Sequence, residues 1–424
     1  MATMNGKAIV AAFIETRQQS LTLCAPLLPE DYNLQAAAFA SPPKWHLAHT
    51  SWFFETFILK PFASDYRSPE PLYEVLFNSY YNGVGSQHPR EQRGVLSRPS
   101  LENVLAYREF VDAAVLALAA TSSDSQRKTI HQRMLLGVEH ERQHQELFFT
   151  NIKYSLSANP LHPQYLPHAL PTGVTALPLR WLRDEGGLTF IGHPGPGFCF
   201  DNELPRHRYF VEPFELASRL VSNGEFQDFV DDGGYQRPEL WLADGWAIAV
   251  AEGWSGPLHW TKKDGANWEF TLYGLQPRDA ARPVCHVSGY EAEAYARWAG
   301  ARLPTEQEWE KVAVEQPDFL GGMDDGHYHP RAAIDTKNIG QLYGECWQWT
   351  RSAYIPYPGY NASPGAIGEY NGKFMSNQWV LRGSSCVTKS SQARPSYRNF
   401  FYPQDRWQFS GIRLARTPDK EANQ

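Results

Sequence analysis

Residues 130–152, IHQRMLLGVEHERQHQELFFTNI, decide the fold of the first half of the chain. Their apolar side chains recur at the spacing of one helical face, so the stretch predicts a long helix. His140 and His144 share a face of this helix, because positions i and i+4 lie one above the other. Two imidazoles at this spacing can chelate a metal ion, so the same stretch predicts a candidate metal site.

Two further helical patterns precede this helix, over residues 45–59 and 101–120. The first of them follows Pro42-Pro43, which is typical of a helix start. It carries His46 and His49, and either histidine offers a third nitrogen ligand. Consecutive long helices predict an up-and-down bundle, and side chains of facing helices in such bundles often hold a metal.

The chain is long enough, at 424 residues, for two domains. A proline-rich stretch follows the helical half, and short strand and turn patterns dominate beyond it. Two helices are predicted within the second half, one beginning near Ser288 and one at Thr305, where Thr305 and Glu308 form a capping box. The predicted organisation is a helical domain, a linker and a mixed domain, over residues 1–157, 158–185 and 186–424.

Composition excludes several classes of function. A net charge of −7 and a pI near 6.1 argue against a nucleic-acid-binding surface. The longest apolar run, residues 113–120, is too short to cross a bilayer, and residues 1–20 contain no cleavable apolar stretch. The five cysteines are scattered and form no CxxC pair, which favours reduced thiols. We therefore expect a cytoplasmic protein without nucleic-acid or membrane partners.

The string HExxH at 140–144 also suggests a zinc metalloprotease, in which Glu141 would be the general base. The long form of that motif requires Gly and His at the positions of Leu147 and Thr150. A metal-dependent binding module without catalysis is a further alternative. The spacing of the histidines alone leaves these alternatives open.

Several long motifs, in the same order along the chain, resemble the sulfoxide synthases of ergothioneine biosynthesis. Those of the first half are PKWHLAHTSWFFET at 43–56, FNSYYN at 77–82 and HERQHQE at 140–146. Those of the second half also resemble the formylglycine-generating-enzyme fold, and they are RLPTEQEW at 302–309, GECWQWT at 344–350, RGSSC at 382–386 and FSGIRL at 409–414. The resemblance implies an α+β chain, in which a DinB-like four-helix bundle precedes a C-type-lectin-like, formylglycine-generating-enzyme-like domain.

This resemblance implies a mononuclear non-heme Fe(II) bound by His49, His140 and His144, with His46 as a structural neighbour. The family reaction uses O₂ to join a thiol to hercynine, the trimethylated betaine of histidine. Its product is a sulfoxide attached to C2 of the imidazole ring. The thiol donor is cysteine or γ-glutamylcysteine, depending on the branch of the family.

The resemblance also assigns roles within residues 66–97, whose content of Pro, Gly, Asn and Arg predicts a long functional loop. Tyr80 and Tyr81 resemble the tyrosine pair of the cysteine-using branch and are candidate proton donors; we favour Tyr81. Arg90 and Arg93 match arginines that bind the carboxylate of the thiol donor, a role that suits a guanidinium fork.

For hercynine, the candidate residues are Gln143, between the histidines, and the aromatic Trp407 and Phe409 of the second half. An amide can hydrogen-bond the imidazole, and aromatic faces attract a trimethylammonium group. The chain departs from the family pattern at Gln348, where Glu is usual, and at Ser384, where Gly is usual. These departures leave open a related enzyme that joins a selenosugar to hercynine on the route to selenoneine.

Overall fold

The computed structural model describes residues 6–168, 170–171, 173, 175–316, 321–334 and 339–418. The chain forms two compact units, a helical unit of residues 1–165, 195–198 and 362–372, and a second unit of residues 166–194, 199–361 and 373–424. The predicted ranges 1–157, 158–185 and 186–424 also contain residues, such as 1–5 and 419–424, that lie outside the described residues. The boundaries between these ranges stay a prediction.

The helical unit is built from long helices that pack along one another. The helices are α1 Gly6–Cys24, α2 Pro43–Phe54, α3 Lys60–Phe62, α4 Tyr73–Phe77, α5 Leu101–Thr121 and α6 Asp124–Ser157. Of these, α1 packs against α6, and α2 packs against both α5 and α6, which confirms the predicted bundle. A π-helical turn, Glu55–Leu59, joins α2 to α3, and 3₁₀ turns cover Pro29–Asn33 and Arg90–Val95.

The π-helical turn changes the predicted helix over residues 45–59. Regular α-helix begins two residues earlier, at Pro43, and ends at Phe54. The wider turn carries Glu55 into the core, where its carboxylate accepts hydrogen bonds from the hydroxyls of Tyr66 and Tyr107. Such insertions of one wide turn are frequent at functional sites. Hydrophobic periodicity alone could not predict it, because the pattern continues unchanged through the turn.

The second unit combines small sheets with short helices. The helices are α7 Asn223–Asp231, α8 Ala243–Ala251, α9 Gly289–Trp298 and α10 Glu306–Glu315. The strands are β1 Trp181–Asp184, β2 Gly187–Ile191, β3 His207–Val211, β4 Phe214–Ala217, β5 Trp260–Lys263, β6 Ala266–Thr271, β7 Gly274–Pro277, β8 Trp347–Ala353, β9 Trp379–Arg382, β10 Asn399–Phe401, β11 Ser410–Gly411 and β12 Ala415–Arg416. The strands pair in the orders β1-β4-β12, β10-β9-β8-β11, β2-β3 and β5-β6-β7.

Both helix starts predicted in this unit are confirmed. Ser288 is the N-cap of α9, and its side chain accepts a hydrogen bond from the backbone of Glu291. Thr305 caps α10 in the same way, through the backbone N–H of Glu308. In each capping box two backbone donors at the helix start are satisfied by side chains.

The unusual Gln348 has a structural role in the core of this unit. Its Oε1 accepts from Trp309 Nε1 and from Arg413 Nε, both at 2.7 Å. Its Nε2 donates to the carbonyl of Leu342 at 2.7 Å, which a glutamate could not do. Ser384, the other departure, accepts from the backbone N–H of Gly344 at 2.8 Å.

Two further observations concern the cysteines and the lengths of the helices. All five cysteines are free, as predicted. Within the described residues, no helix combines the length and the apolar character that crossing a membrane requires.

Candidate metal centre

Three histidines from two facing helices converge inside the helical unit. His49 lies on α2, and His140 and His144 lie on α6. Each offers one ring nitrogen, and these atoms all lie within 4.8 Å of one another. The Nε2 atoms of His49 and His140 are 3.2 Å apart. Because metal–imidazole bonds are about 2.1 Å long, neighbouring ligand nitrogens lie roughly 3.0–3.4 Å apart, and the pair fits a common ion.

Burial keeps these imidazoles in the form that binds metals. It lowers the pKa of His140 to about 3, and it lowers the pKa values of His49 and His144 well below the usual range. Neutral imidazole is the ligand form, so protons do not compete with a metal near neutral pH. The donor set therefore fits a transition metal that accepts nitrogen ligands.

Aromatic rings and one hydrogen bond orient the rings of His49 and His140. The ring of His49 stacks on that of Trp45, with centroids 4.5 Å apart and planes 9° apart. Phe53 stacks on His140 at 4.3 Å. His49 Nδ1 lies 2.5 Å from the carbonyl oxygen of Phe77, which can only accept, so Nδ1 carries the proton. The lone pair of His49 is thus on Nε2, the atom that faces His140.

His46 lies outside the group of converging nitrogens but touches it. Its Nδ1 is 2.9 Å from Nδ1 of His144, and its Nε2 is 3.2 Å from Oδ1 of Asn151. Burial lowers the pKa of His46 to about 3, so this ring is also neutral. It contacts the candidate ligand His144 through Nδ1, one of the two ring nitrogens of that residue.

Glu141, the general base of the protease alternative, is a core residue. Its carboxylate accepts from Arg17 at 2.9 Å, from Arg108 at 2.5 Å and from the hydroxyl of Ser20 at 2.6 Å. Burial opposes ionisation, but the positive charges of Arg108 and Arg17 prevail and lower the pKa of Glu141 to about 2. A carboxylate held in this way cannot take a proton from water near neutral pH, so the protease alternative lacks its base.

Tyr80 and Tyr81 stack on each other, and Tyr81 contacts Trp52, whose ring in turn stacks on that of His49. Their ring centroids are 4.6 Å apart, and their hydroxyl oxygens are 3.5 Å apart. Tyr81 is fully buried and packs against Trp52 and Phe57, whereas Tyr80 is partly exposed. Asn78 shapes the turn, because its Oδ1 accepts from the backbone N–H of Tyr81 at 3.0 Å. The predicted loop over residues 66–97 is thus a folded segment, which also contains α4 and a 3₁₀ turn.

The two candidate arginines occupy different environments. Arg90 is exposed, whereas the side chain of Arg93 is buried with its guanidinium carbon 3.5 Å from the centroid of the Trp45 ring. Arg93 donates to the hydroxyl of Ser41 at 2.8 Å, but its Nε has no hydrogen-bond partner among the described residues. Burial, and then the charge of Arg90, lower the pKa of Arg93. A buried cation in this state favours an incoming anion.

Residues 362–372 supply two side chains to the helical unit that sequence reasoning missed. The Tyr370 hydroxyl donates to Oε1 of Gln143, and its ring centroid lies 5.6 Å from that of His140. The Glu369 carboxylate accepts from the backbone N–H groups of Asn82 and Gly83, at 3.0 and 2.7 Å. No local pattern could reveal these contacts, because the partners lie hundreds of residues apart in the sequence.

Trp407 and Phe409 both lie in the second unit. Phe409 is fully buried, and its ring centroid is 4.7 Å from that of His286. Trp407 is half-buried, with its ring 5.1 Å from that of Phe401. Their assignment to hercynine stays a prediction.

Comparison with known proteins matches both halves of the chain. The model of the DinB superfamily matches residues 12–148, and that of the sulfatase-modifying factor enzyme 1-like domain matches residues 182–342 and 336–418. These matches confirm the predicted fold class, a DinB-like helical bundle followed by a formylglycine-generating-enzyme-like domain. The formylglycine-generating enzyme of Bos taurus is 29% identical over 209 residues, which cover 46% of this chain and 52% of that protein.

Other relatives match along most of their length. The hercynine oxygenase of Mycobacterium tuberculosis is 31% identical over 404 residues, which cover 88% of this chain and 91% of that protein. The hercynine oxygenase of Mycolicibacterium thermoresistibile is 32% identical over 417 residues, which cover 90% of this chain and 88% of that protein. Since the similarity extends through both units, the chain belongs to the hercynine oxygenase family of enzymes.

Proposed function

We propose that this enzyme uses Fe(II) and O₂ to join hercynine to cysteine, as a step of ergothioneine biosynthesis, with γ-glutamylcysteine as the alternative donor. The reaction balances with one O₂. Forming the C–S bond removes one hydrogen from each substrate, one oxygen atom enters the sulfoxide, and the other leaves as water. The observation that carries the proposal is the convergence of three neutral imidazoles, of which His49 and His140 are buried and His144 is half-buried.

The donor set suits this chemistry in two respects. When bound, Fe(II) supplies the redox chemistry that activates O₂, and three protein ligands leave positions for the reactants. The three histidines are neutral, so the centre keeps the full positive charge of the ion. That charge favours the thiolate form of the sulfur donor.

Tyr81 is the proposed proton donor. Burial raises the pKa of its phenol well above the usual value, so the hydroxyl keeps its proton near neutral pH. The hydroxyl of Tyr80, at 3.5 Å, is close enough to return a proton to Tyr81 after small adjustment. Proton delivery at this point would direct oxidation toward the sulfoxide rather than toward the thiol alone.

Arg93 is the proposed site for the carboxylate of the thiol donor. It is a buried cation whose Nε has no hydrogen-bond partner among the described residues. A carboxylate would supply both the missing hydrogen bond and the missing negative charge. Arg90 is exposed, so we assign it the smaller contribution.

Gln143 is the proposed partner of the hercynine imidazole. Its Oε1 accepts a hydrogen bond from the Tyr370 hydroxyl. An amide N–H of Gln143 would donate to an unprotonated ring nitrogen of the substrate. Trp407 and Phe409 remain candidates for the trimethylammonium group. We also propose that the reaction takes place in the cytoplasm, where the five free cysteines stay reduced.

Oxygen uptake by the purified enzyme, loaded anaerobically with Fe(II), tests the proposal. Hercynine is supplied with cysteine, with γ-glutamylcysteine or with a selenosugar, and products are identified by mass spectrometry. We expect O₂ consumption and a sulfoxide that contains both hercynine and cysteine. A conjugate formed only with the selenosugar would select the selenoneine-pathway enzyme, and no conjugate with any donor would overturn the proposed function.

A further inference from the structure

A chain of polar contacts links the backbone before α2 to one of the candidate ligands. His46 lies one turn before His49 on α2, and Asn151 lies two turns after His144 on α6. Nδ1 of His46 is 2.9 Å from Nδ1 of His144, and Nε2 of His46 is 3.2 Å from Oδ1 of Asn151. His46 and Asn151 are both buried, so solvent water does not compete for these hydrogen bonds.

The protons in this chain can be assigned from its backbone end. The N–H of Ser41 points at the Asn151 side chain at 2.7 Å, and an N–H can only donate, so the atom it meets is Oδ1. Nδ2 of Asn151 is correspondingly placed to donate to Oγ1 of Thr150, at 3.2 Å. Because Oδ1 can only accept, the proton between it and His46 belongs to Nε2 of His46.

The same logic passes through His46 to His144. A neutral imidazole carries one N–H, so His46 with its proton on Nε2 has a lone pair on Nδ1. Two ring nitrogens 2.9 Å apart share a single proton, and it must then reside on Nδ1 of His144. The lone pair of His144 is therefore on Nε2, the nitrogen available to a metal.

We propose that Asn151 and His46 are positioning residues, which fix the tautomer and ring orientation of His144 for metal binding. The inference rests on the proposed metal role of His49, His140 and His144. His49 is fixed independently by the carbonyl of Phe77, at 2.5 Å. For His140, in contrast, Nδ1 has no hydrogen-bond partner among the described residues. The tautomers of His49 and His144 are thus fixed before a metal binds, by hydrogen bonds from different parts of the bundle.

Ser41 connects this chain of contacts to the proposed thiol site. Its backbone N–H holds Asn151, and its hydroxyl accepts from Arg93 at 2.8 Å. The Pro42-Pro43 pair directly after it restricts the backbone where α2 begins. The start of α2 therefore orients a metal ligand and an anion-binding arginine together.

The first test reads the tautomer directly in the full-length wild-type protein. Long-range ¹H–¹⁵N spectra of metal-free protein with ¹⁵N-labelled histidine distinguish protonated from unprotonated ring nitrogens. The signals of His144 are assigned by comparison with His144→Gln. We expect the proton of His144 on Nδ1, and Zn(II), used as a diamagnetic probe, should bind at Nε2. A proton found on Nε2 of His144 in the metal-free protein would overturn the inference without any variant.

The second test measures metal affinity, with Co(II) as the probe in competition with a chelator. Outer partners of metal ligands typically contribute about 10–100-fold to affinity, so His46→Phe and Asn151→Leu should each weaken Co(II) binding by that factor. The double variant should be no weaker than the weaker single variant, because the two residues act as one chain. Thr150→Val is the matched control, since Ser41 still holds Oδ1 of Asn151, and its affinity should be unchanged.

The outcomes separate this inference from the proposed function. If His49→Ala loses Co(II) while His46→Phe and Asn151→Leu bind as tightly as wild type, the metal centre stands and the positioning role is wrong. If His49→Ala also binds Co(II) as tightly as wild type, the metal centre itself is wrong. Near-UV circular dichroism of each variant shows whether a loss of affinity reflects a loss of fold.

Discussion

Tyr370 and Gln143 are joined by a hydrogen bond from the Tyr370 hydroxyl to Oε1 of Gln143, although 227 positions separate them in the chain. The bond brings the segment of residues 362–372 to the face of α6 that carries the candidate ligands. Neighbouring Glu369 accepts from the backbone of Gly83, two residues after Tyr81. One short segment therefore supports both the proposed hercynine contact and the turn that carries the tyrosine pair.

Removing any of His49, His140 or His144 should abolish tight iron binding and O₂-dependent turnover. A chelate formed by three ligands loses much of its affinity when one ligand goes. His46→Ala should keep part of both properties, because His46 contacts Nδ1 of His144 and is not one of the three grouped histidines. Metal analysis of the purified variants measures the effect. Full iron occupancy in His49→Ala would contradict the ligand assignment.

Replacing Arg93 should raise KM for the thiol donor much more than KM for hercynine. Arg93→Met keeps the packing on Trp45 while it removes the charge. Losing a charge-assisted bond costs about 1.5–3 kcal/mol, which corresponds to roughly a ten- to hundredfold rise in KM. Exposed Arg90, replaced in the same way, should give a smaller rise in the same constant. Equal effects of Arg93→Met on both substrates would speak against a carboxylate site there.

Tyr81→Phe should bind iron and both substrates but make far less sulfoxide. Proton transfer from a placed side chain contributes about 10²–10⁴-fold, so sulfoxide formation should fall by that order. Oxygen is still consumed, and the thiol donor becomes its sulfinic acid, which takes up both oxygen atoms. Tyr80→Phe should have the smaller effect. Product analysis by NMR decides, and sulfoxide as the main product at near wild-type rate in both variants and in the double variant would exclude the role.

Glu369→Ala should loosen the turn that carries the tyrosine pair without weakening metal binding. The variant removes both acceptors that hold the backbone of Asn82 and Gly83. The ratio of sulfoxide to sulfinic acid should fall, whereas Co(II) affinity should stay at the wild-type value. Glu369→Gln is the matched control, because its side chain retains one acceptor oxygen. Its ratio of sulfoxide to sulfinic acid should lie between those of the wild type and of Glu369→Ala. A product ratio unchanged in Glu369→Ala would show that the turn keeps its shape without this anchor.

Glu141→Gln should destabilise the fold strongly and in a pH-dependent way. Breaking a buried ion pair costs about 3–5 kcal/mol, and here Arg108 would lose this carboxylate while Arg17 would keep only Asp112. The folded-state pKa of Glu141 is lowered from 4.5 to about 2, so its stabilisation is present above 4.5 and is lost as the pH falls toward 2. Denaturant unfolding at pH 7 and at pH 3 measures the difference from wild type, which should shrink at the lower pH.

A matched variant separates this ion pair from a general effect of charge. Asp112→Asn removes the other partner of Arg17, and the Asp112 side chain is 25% exposed. Solvent screens that pair, so its loss should cost less than that of Glu141. Comparable destabilisation by Glu141→Gln and Asp112→Asn would show that the buried ion pairs of Glu141 contribute no more to stability than the partly exposed pair of Asp112.

The parts of this structure that the sequence predicts are those in which neighbours in space are near in sequence. The pair His140 and His144 follows from the helical period, and the caps at Ser288 and Thr305 follow from residues three positions apart. The third nitrogen ligand could not be predicted from spacing, because His46 and His49 are equally placed on the predicted helix. Only the resemblance to a known family favoured His49. In the structure His49 is the one whose ring nitrogen lies within 4.8 Å of those of His140 and His144, and its role as a ligand stays a prediction.

The parts that the sequence could not predict depend on tertiary packing. The burial of Arg93 follows from its stacking on Trp45, whereas its neighbour Arg90 with the same side chain stays exposed. The tautomer of His144 depends on Ser41 and Asn151, which no motif connects. Local propensity contains no information on contacts of this kind, because they form only when the helices pack.

The inclusion of residues 362–372 in the helical unit limits how the chain can be divided by genetic engineering. A fragment that ends at Tyr165 would include every candidate ligand but neither Glu369 nor Tyr370. If that fragment were fused to an unrelated protein, the turn that carries Tyr80 and Tyr81 would lack its hydrogen bonds to Glu369. The compact units of the folded protein therefore do not correspond to consecutive segments of the sequence. Recombination at a boundary chosen from the sequence alone would separate residues that contact one another in the folded protein.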